Sequence, residues 1–251
     1  MNRINSKAYL FIFILLLSVP HILSAQTAFP KISVGVEEST NPSDFVLTMQ
    51  IVFLFTILSL APSILIMMTS FTRLIIVFHF LRNALATQTV PSNQILIGLA
   101  LFITFFIMKP VFNEINENAL QPYIQEEITQ REALKKAEVP IKAFMLRQTR
   151  GKDIELFVGL RGEGRPASMN DLPLSVVIPS FIISELKTAF QIGFLLYLPM
   201  LLIDIIVASI LLSMGMMMLP PIMISMPFKI LLFVLVDGWY LIVESLVKGF
   251  A

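Results

Sequence analysis

Between Asp44 and Arg73 the chain carries no charged side chain, and the same holds from Asn83 to Met108, from Thr188 to Ile203 and from Ile205 to Phe228. In lipid, backbone N–H and C=O groups are satisfied only by helices or closed barrels, and an uncharged apolar run of more than about 18 residues reads as a spanning helix. These intervals therefore define an all-α integral membrane protein. Composition agrees: 56% of the 251 residues are hydrophobic and only 14% charged, well beyond an ordinary soluble domain.

The apolar intervals are interrupted in informative places. Pro62 predicts a kink in the first of them. The interval from Thr188 to Ile203 is sixteen residues, short for a span, and is bracketed by Glu185, Lys187 and Asp204. The next is broken at Gly215 and again at Pro220 and Pro221, and Lys229, Asp237, Glu244 and Lys248 follow. Broken helices persist at membrane depth only where protein or water satisfies the freed backbone groups, so this third of the chain is expected to face an interior. The expected organisation is two hydrophobic hairpins of long kinked or broken helices, residues 45–112 and 172–251.

Charge locates the remainder. Of the 35 Lys, Arg, Asp and Glu residues, 20 lie between Lys109 and Asp171, ten of each sign. That balance argues against nucleic-acid binding, which requires a basic excess. Residues 113–171 read as a helical region outside the membrane, interrupted at Pro140 and followed by a connector rich in glycine and proline. RLIIVFHFLR, residues 73–82, holds Arg73, His79 and Arg82 and no acid, and the positive-inside rule makes it a short cytoplasmic connection between two spans. At the N-terminus, Arg3 and Lys7 precede the apolar run Ala8–Leu17, and Ala25 offers a small residue for cleavage. Residues 1–25 thus read as a signal peptide, with an uncleaved anchor as the rival, and residues 26–44 as a short periplasmic segment.

Two groups of residues stand out chemically. LSMGMMMLPPIMISMP, from Leu212 to Pro227, places six methionines within thirteen residues. Met216, Met217 and Met218 cannot share one helix face, because consecutive residues point about 100° apart. In an extended loop repeated around a ring, their flexible thioethers could converge on an axis; packing filler in a helical core is the other reading. The second group is the intramembrane charges Glu185, Lys187, Asp204, Lys229 and Asp237. Each must pair, neutralise or reach water, since an unpaired charge at that depth costs upwards of about 2.5 kcal/mol. Structural ion pairs and a proton relay both meet that requirement.

Other chemistries find no support. Cysteine is absent, no glycine-rich phosphate loop occurs, and His21 and His79 cannot make a metal site. Ser180 and Ser184 have no histidine nearby to activate them. No cofactor, no metal and no enzyme activity are expected.

Three blocks carry a resemblance. Residues 68–112, MTSFTRLIIVFHFLRNALATQTVPSNQILIGLALFITFFIMKPVF, and residues 179–221 and 227–239, which include SELKTAFQ, GMMM and PFK, resemble the signatures of the FliP family of flagellar type III export-gate proteins, related to the injectisome SctR proteins. SNQ at residues 92–94, where PNQ is more usual, and LLYL at 195–198 are mild departures. The resemblance implies a ring of five copies that assembles with FliQ and FliR, and with FlhB and FlhA, into a closed helical gate in the flagellar basal body at the cytoplasmic (inner) membrane, through which unfolded flagellar subunits pass. It implies that Met216, Met217 and Met218 form a gasket held by Gly215, Pro220 and Pro221, and that Glu185 and Lys229 make an inter-subunit ion pair. A proton-coupled transporter or channel using Glu185, Asp204 and Asp237 is the rival from another class.

Overall fold

The computed structural model describes residues 42–162, 168–216 and 218–250; the signal segment 1–25, most of the segment 26–44, the middle of the glycine-rich connector and Met217 lie outside the described residues. Helices account for the regular structure, and no strand occurs among the described residues. They are α1 (Pro42–Met67), α2 (Phe71–Ala84), α3 (Asn93–Ile115), a π-helical turn at Asn116–Leu120 leading into the short α4 (Gln121–Ile124), α5 (Gln130–Gln148), α6 (Gly151–Arg161), a 3-10 turn at Met169–Asp171, α7 (Leu174–Ser213), α8 (Pro221–Leu235) and α9 (Gly238–Lys248).

The chain divides into two compact units, Met1–Phe53 and Leu54–Ala251, with the boundary inside α1. In the first, the described part is the start of α1, where Val46, Met49 and Phe53 are exposed. The second contains every other element.

Within the second unit, α7 is the element on which α2, α5, α6 and α8 all pack. Two apolar clusters result. One is built on α2 and gathers Leu74, Val77, Phe78 and Leu81 with Leu96, Ala189 and Phe233. The other joins Met108, Phe144, Met145, Val177, Phe181 and Phe250. α2 comes close to α7 at Gly193, where a Cβ would lie only 2.5 Å from Phe80 Cγ. Glycine there is a packing requirement, because any side chain would meet the ring.

The segment RLIIVFHFLR forms the body of a packed helix, α2. Leu74, Val77, Phe78 and Leu81 recur at i, i+3, i+4 and i+7 and are at most 2% exposed, a spacing that puts all four on one helical face. The C-terminal third differs from expectation. Asp204 does not end a helix, and α7 runs unbroken for 40 residues through Glu185, Lys187, Pro199 and Asp204. The reason is that its acids are answered by side chains, so the helix need not stop for them. Pro140 and Pro227 lie inside α5 and α8 rather than between helices. The interruption after Pro221 comes instead at Val236 and Asp237, where α8 and α9 meet at a 63° bend. Asp237 takes the left-handed conformation there, with φ of 51°. It is immediately followed by Gly238, whose missing Cβ leaves room for the Phe233 ring.

Two stretches, Asn93–Ile124 and Leu174–Ser213, are long and apolar enough to cross a membrane, and the bent pair α8–α9 passes the same test as a broken span. The protein is an all-α membrane protein. Its polar helix α5 begins with a capping box: the Thr129 hydroxyl accepts from the Glu132 N–H, and the Thr129 N–H donates to Glu132 Oε2 at 2.9 Å. These bonds answer backbone donors at a helix start that have no partner within the helix.

Candidate functional site

The methionine segment forms the turn between α7 and α8, and its shape follows from glycine. Gly215 has φ of 73°. Its N–H donates to Leu212 O at 3.1 Å, and the Met216 N–H donates to Leu211 O at 2.9 Å. This pair of bonds with a left-handed glycine is the Schellman closure of a helix C-terminus, which only a residue without Cβ adopts at low cost. At the far side Pro220 is extended and Pro221 opens α8 at a position where its missing N–H costs nothing. The chain is thus forced out of α7 and back into α8 within a few residues. Met216 is 42% and Met218 99% exposed. Behind the loop an apolar groove of about 420 Å³ opens between the helices, lined by Ile206, Val207, Ile210, Leu211, Ile224 and Phe228.

At the end of the groove away from the loop, next in sequence to its lining residues Ile203 and Phe228, the two helices are pinned. Lys229 Nζ of α8 donates to Asp204 Oδ2 of α7 at 2.6 Å, and the Ser225 hydroxyl donates to Asp204 Oδ1. Lys229 is 2% exposed. A polar cavity of about 200 Å³ lies against the pair, with Asn83, Thr87, Gln88 and Tyr197 among its lining residues.

Glu185 lies elsewhere on α7 and is wholly buried. Both of its oxygens accept from Arg73 of α2: Nε donates to Oε2 at 2.9 Å and Nη2 to Oε1. A bidentate fork of this kind is the strongest ordinary pairing for a buried carboxylate. Neighbouring residues of the SELKT segment are also satisfied. The Ser184 hydroxyl donates to Asp153 and accepts from the Arg150 N–H at 3.0 Å, and Arg150 Nη2 donates to Thr188 Oγ1 at 3.3 Å. The segment is a buried polar seam that fastens α6 to α7.

The structure thus separates Glu185 from Lys229 within the chain and gives each a different partner. Asp237 is exposed at the α8–α9 bend. The residues that sequence reasoning missed are Arg73, Arg150 and Asp153. Arg73 did leave a signal, since a basic residue in a segment with no acid requires its counter-charge from another element. His79, half-buried one face round on α2, accepts at Nδ1 from Arg82 Nη2 at 3.1 Å. Burial first, and the Arg82 charge second, hold its pKa below the usual histidine value.

An all-α membrane chain with two buried ion pairs inside its apolar helices, and an exposed methionine turn between the two helices that one of those pairs joins, is a class narrow enough to compare with known families. Residues 54–246 match the model of the FliP family. The chain is 57% identical to the flagellar biosynthetic protein FliP of Bacillus subtilis, over 86% of this chain and 98% of that protein. It is 50% identical to that of Aquifex aeolicus over 91% and 96%, and 43% identical to that of Borreliella burgdorferi over 96% and 98%. The chain belongs to the FliP family.

Proposed function

We propose that this protein is the core pore component of the flagellar type III export gate, conducting unfolded flagellar subunits across the cytoplasmic membrane and closing the resting pore with its methionine loop. The observation that carries this reading is the loop itself. Flexible apolar side chains at Met216 and Met218 stand exposed on a turn whose backbone is fixed by Gly215, Pro220 and Pro221. Thioethers of this kind adapt to whatever they close against, which suits a seal that must part for cargo of variable shape.

The length of α7 supports assembly into a larger complex. Forty residues at 1.5 Å each extend about 60 Å, twice the roughly 30 Å of a hydrocarbon core. Yet Phe190, Phe194, Leu195, Leu202, Ile205 and Leu212 are all exposed along it. Apolar surface that exceeds the lipid needs protein cover, and we assign that cover to further copies, in a ring of five, and to FliQ and FliR, with FlhB and FlhA as neighbours. A proton-relay reading is less well supported, because two of its three carriers, Glu185 and Asp204, are each engaged by a buried cation.

Deleting Met216 to Met218 tests the proposal. The complex is expected to assemble at its normal level while resting leak of small ions across the membrane rises. A normal complex with unchanged leak would sink the gasket role.

A further inference from the structure

Arg73 contacts more than its carboxylate. Besides the fork to Glu185, its Nη2 donates to Gln148 Oε1 at the end of α5 at 3.0 Å, and its Nη1 donates to Gly249 O, just beyond α9, at 3.2 Å. The flat face of the guanidinium lies 3.8 Å from the centroid of the Phe250 ring. That ring stacks on Phe144 of α5 at 6.1 Å and 18°, and Phe250 is 9% exposed. A buried Glu185 needs one cation; it does not require that cation to hold the residues after α9.

We infer that Arg73 is a positioning residue for the hairpin that bears the methionine loop: it ties Gly249 and Phe250, the foot of the second arm, to Glu185 on the first. The first arm is α7 and the second is α8 with α9. Asp204–Lys229 joins them near the loop. Between that joint and Gly249 the arm turns through a 63° bend, and α9 packs on the α2 cluster through Trp239, Ile242 and Leu246. The Arg73 clamp supplies the second polar anchor. Glu185 and Asp204 are 19 residues apart on one helix, about 28 Å along its axis. Two anchors at that separation define the line of the second arm, and with it the place where the loop stands. Lysine could not do this, because a point charge offers neither the planar fork nor the stacking face.

The structural part of this inference is independent of the gate reading, while its effect on the loop rests on that reading, so the test reads both. In Arg73→Met with Glu185→Leu the charges leave together, a replacement that buried ion pairs commonly tolerate. The complex is expected at its normal level, with amide exchange of Gly249 and Phe250 about tenfold faster and resting ion leak raised. Phe250→Ala, which keeps the ion pair, is expected to give the same faster exchange and stands in if the double variant fails to accumulate. Exchange unchanged from the parent in these variants would overturn the clamp. Faster exchange with unchanged leak would overturn the positioning of the loop by the clamp if deletion of Met216 to Met218 does raise leak, and would remove the gate reading instead if that deletion leaves leak unchanged.

Discussion

Lys229 and Asp204 are joined across the α7–α8 hairpin at 2.6 Å, with the lysine side chain 2% and the aspartate 16% exposed. Removing one partner of such a pair leaves a buried charge unanswered, at a cost of about 3–5 kcal/mol. Asp204→Asn and Lys229→Met are each expected to lower the amount of assembled complex sharply. Asp204→Lys with Lys229→Asp is expected to recover part of it. Glu185→Lys with Lys229→Glu is expected to recover nothing, because Arg73 and Asp204 then face like charges. The measurement is complex yield on a native gel, and recovery by the second exchange would show that Glu185 and Lys229 answer each other between subunits.

Gly193 sits where α2 comes close to α7, and a methyl there would collide with Cβ and Cγ of Phe80 as well as its ring edge. Gly193→Ala is expected to cost about 1–3 kcal/mol by overpacking. Pairing it with Phe80→Ala, which removes Cγ and the ring, is expected to return part of that loss, read as thermal stability of the purified protein. Equal stability of Gly193→Ala and the parent would mean that α2 can move away from α7 at no cost.

Gly215 closes α7 at a positive φ with open space around it, so a substitution there meets strain without a clash. Gly215→Ala is expected to cost about 1 kcal/mol and Gly215→Val more, through loss of the turn that aims Met216 and Met218. The check is resting ion leak alongside complex yield: leak is expected to rise in both variants while yield stays close to normal.

Glu132 caps α5 through Thr129, and its pKa lies below the usual carboxylate value because the Thr129 N–H and hydroxyl both bond to the ionised form. A depressed folded-state pKa gives stability that is present above the unfolded value and lost as pH falls through the folded one. Fraying of the first turn of α5 is therefore expected below the ordinary glutamate range, and Thr129→Ala or Glu132→Gln is expected to produce it at neutral pH. Amide exchange at residues 131–134 is the measurement.

The sequence made the helical membrane class readable because uncharged intervals of this length have few other solutions. It also made α5 readable, through acids ahead of bases and apolar residues at helical spacing. The packing of α2 is legible only in the spacing of Leu74, Val77, Phe78 and Leu81, because Arg73 and Arg82, which the positive-inside rule reads, say nothing of which face is buried. The break at Gly215 and Pro220–Pro221 is legible from the glycine and prolines and falls where α7 ends and α8 begins, whereas the charges bracketing Thr188–Ile203 do not mark helix ends, because Glu185 and Asp204 are paired on the side of α7. Which base answers which acid was beyond a one-dimensional reading. Arg73 and Glu185 are 112 residues apart, and only the packing of α2 on α7 brings them together. Ser184 and Asp153 are a similar case.

Pro179 and Pro199 both lie within α7. Neither can donate to the carbonyl four residues before it, so the helix has two places where its ladder of bonds lacks a rung. Glu185 and the seam to α6 lie between those places, and Asp204 and the methionine turn lie beyond the second. Mechanically, α7 is a jointed strut with its middle clamped to α2 and α6 and its tip held through Asp204 to α8. Force reaching the tip is absorbed by bending at Pro199 before it disturbs the clamped section.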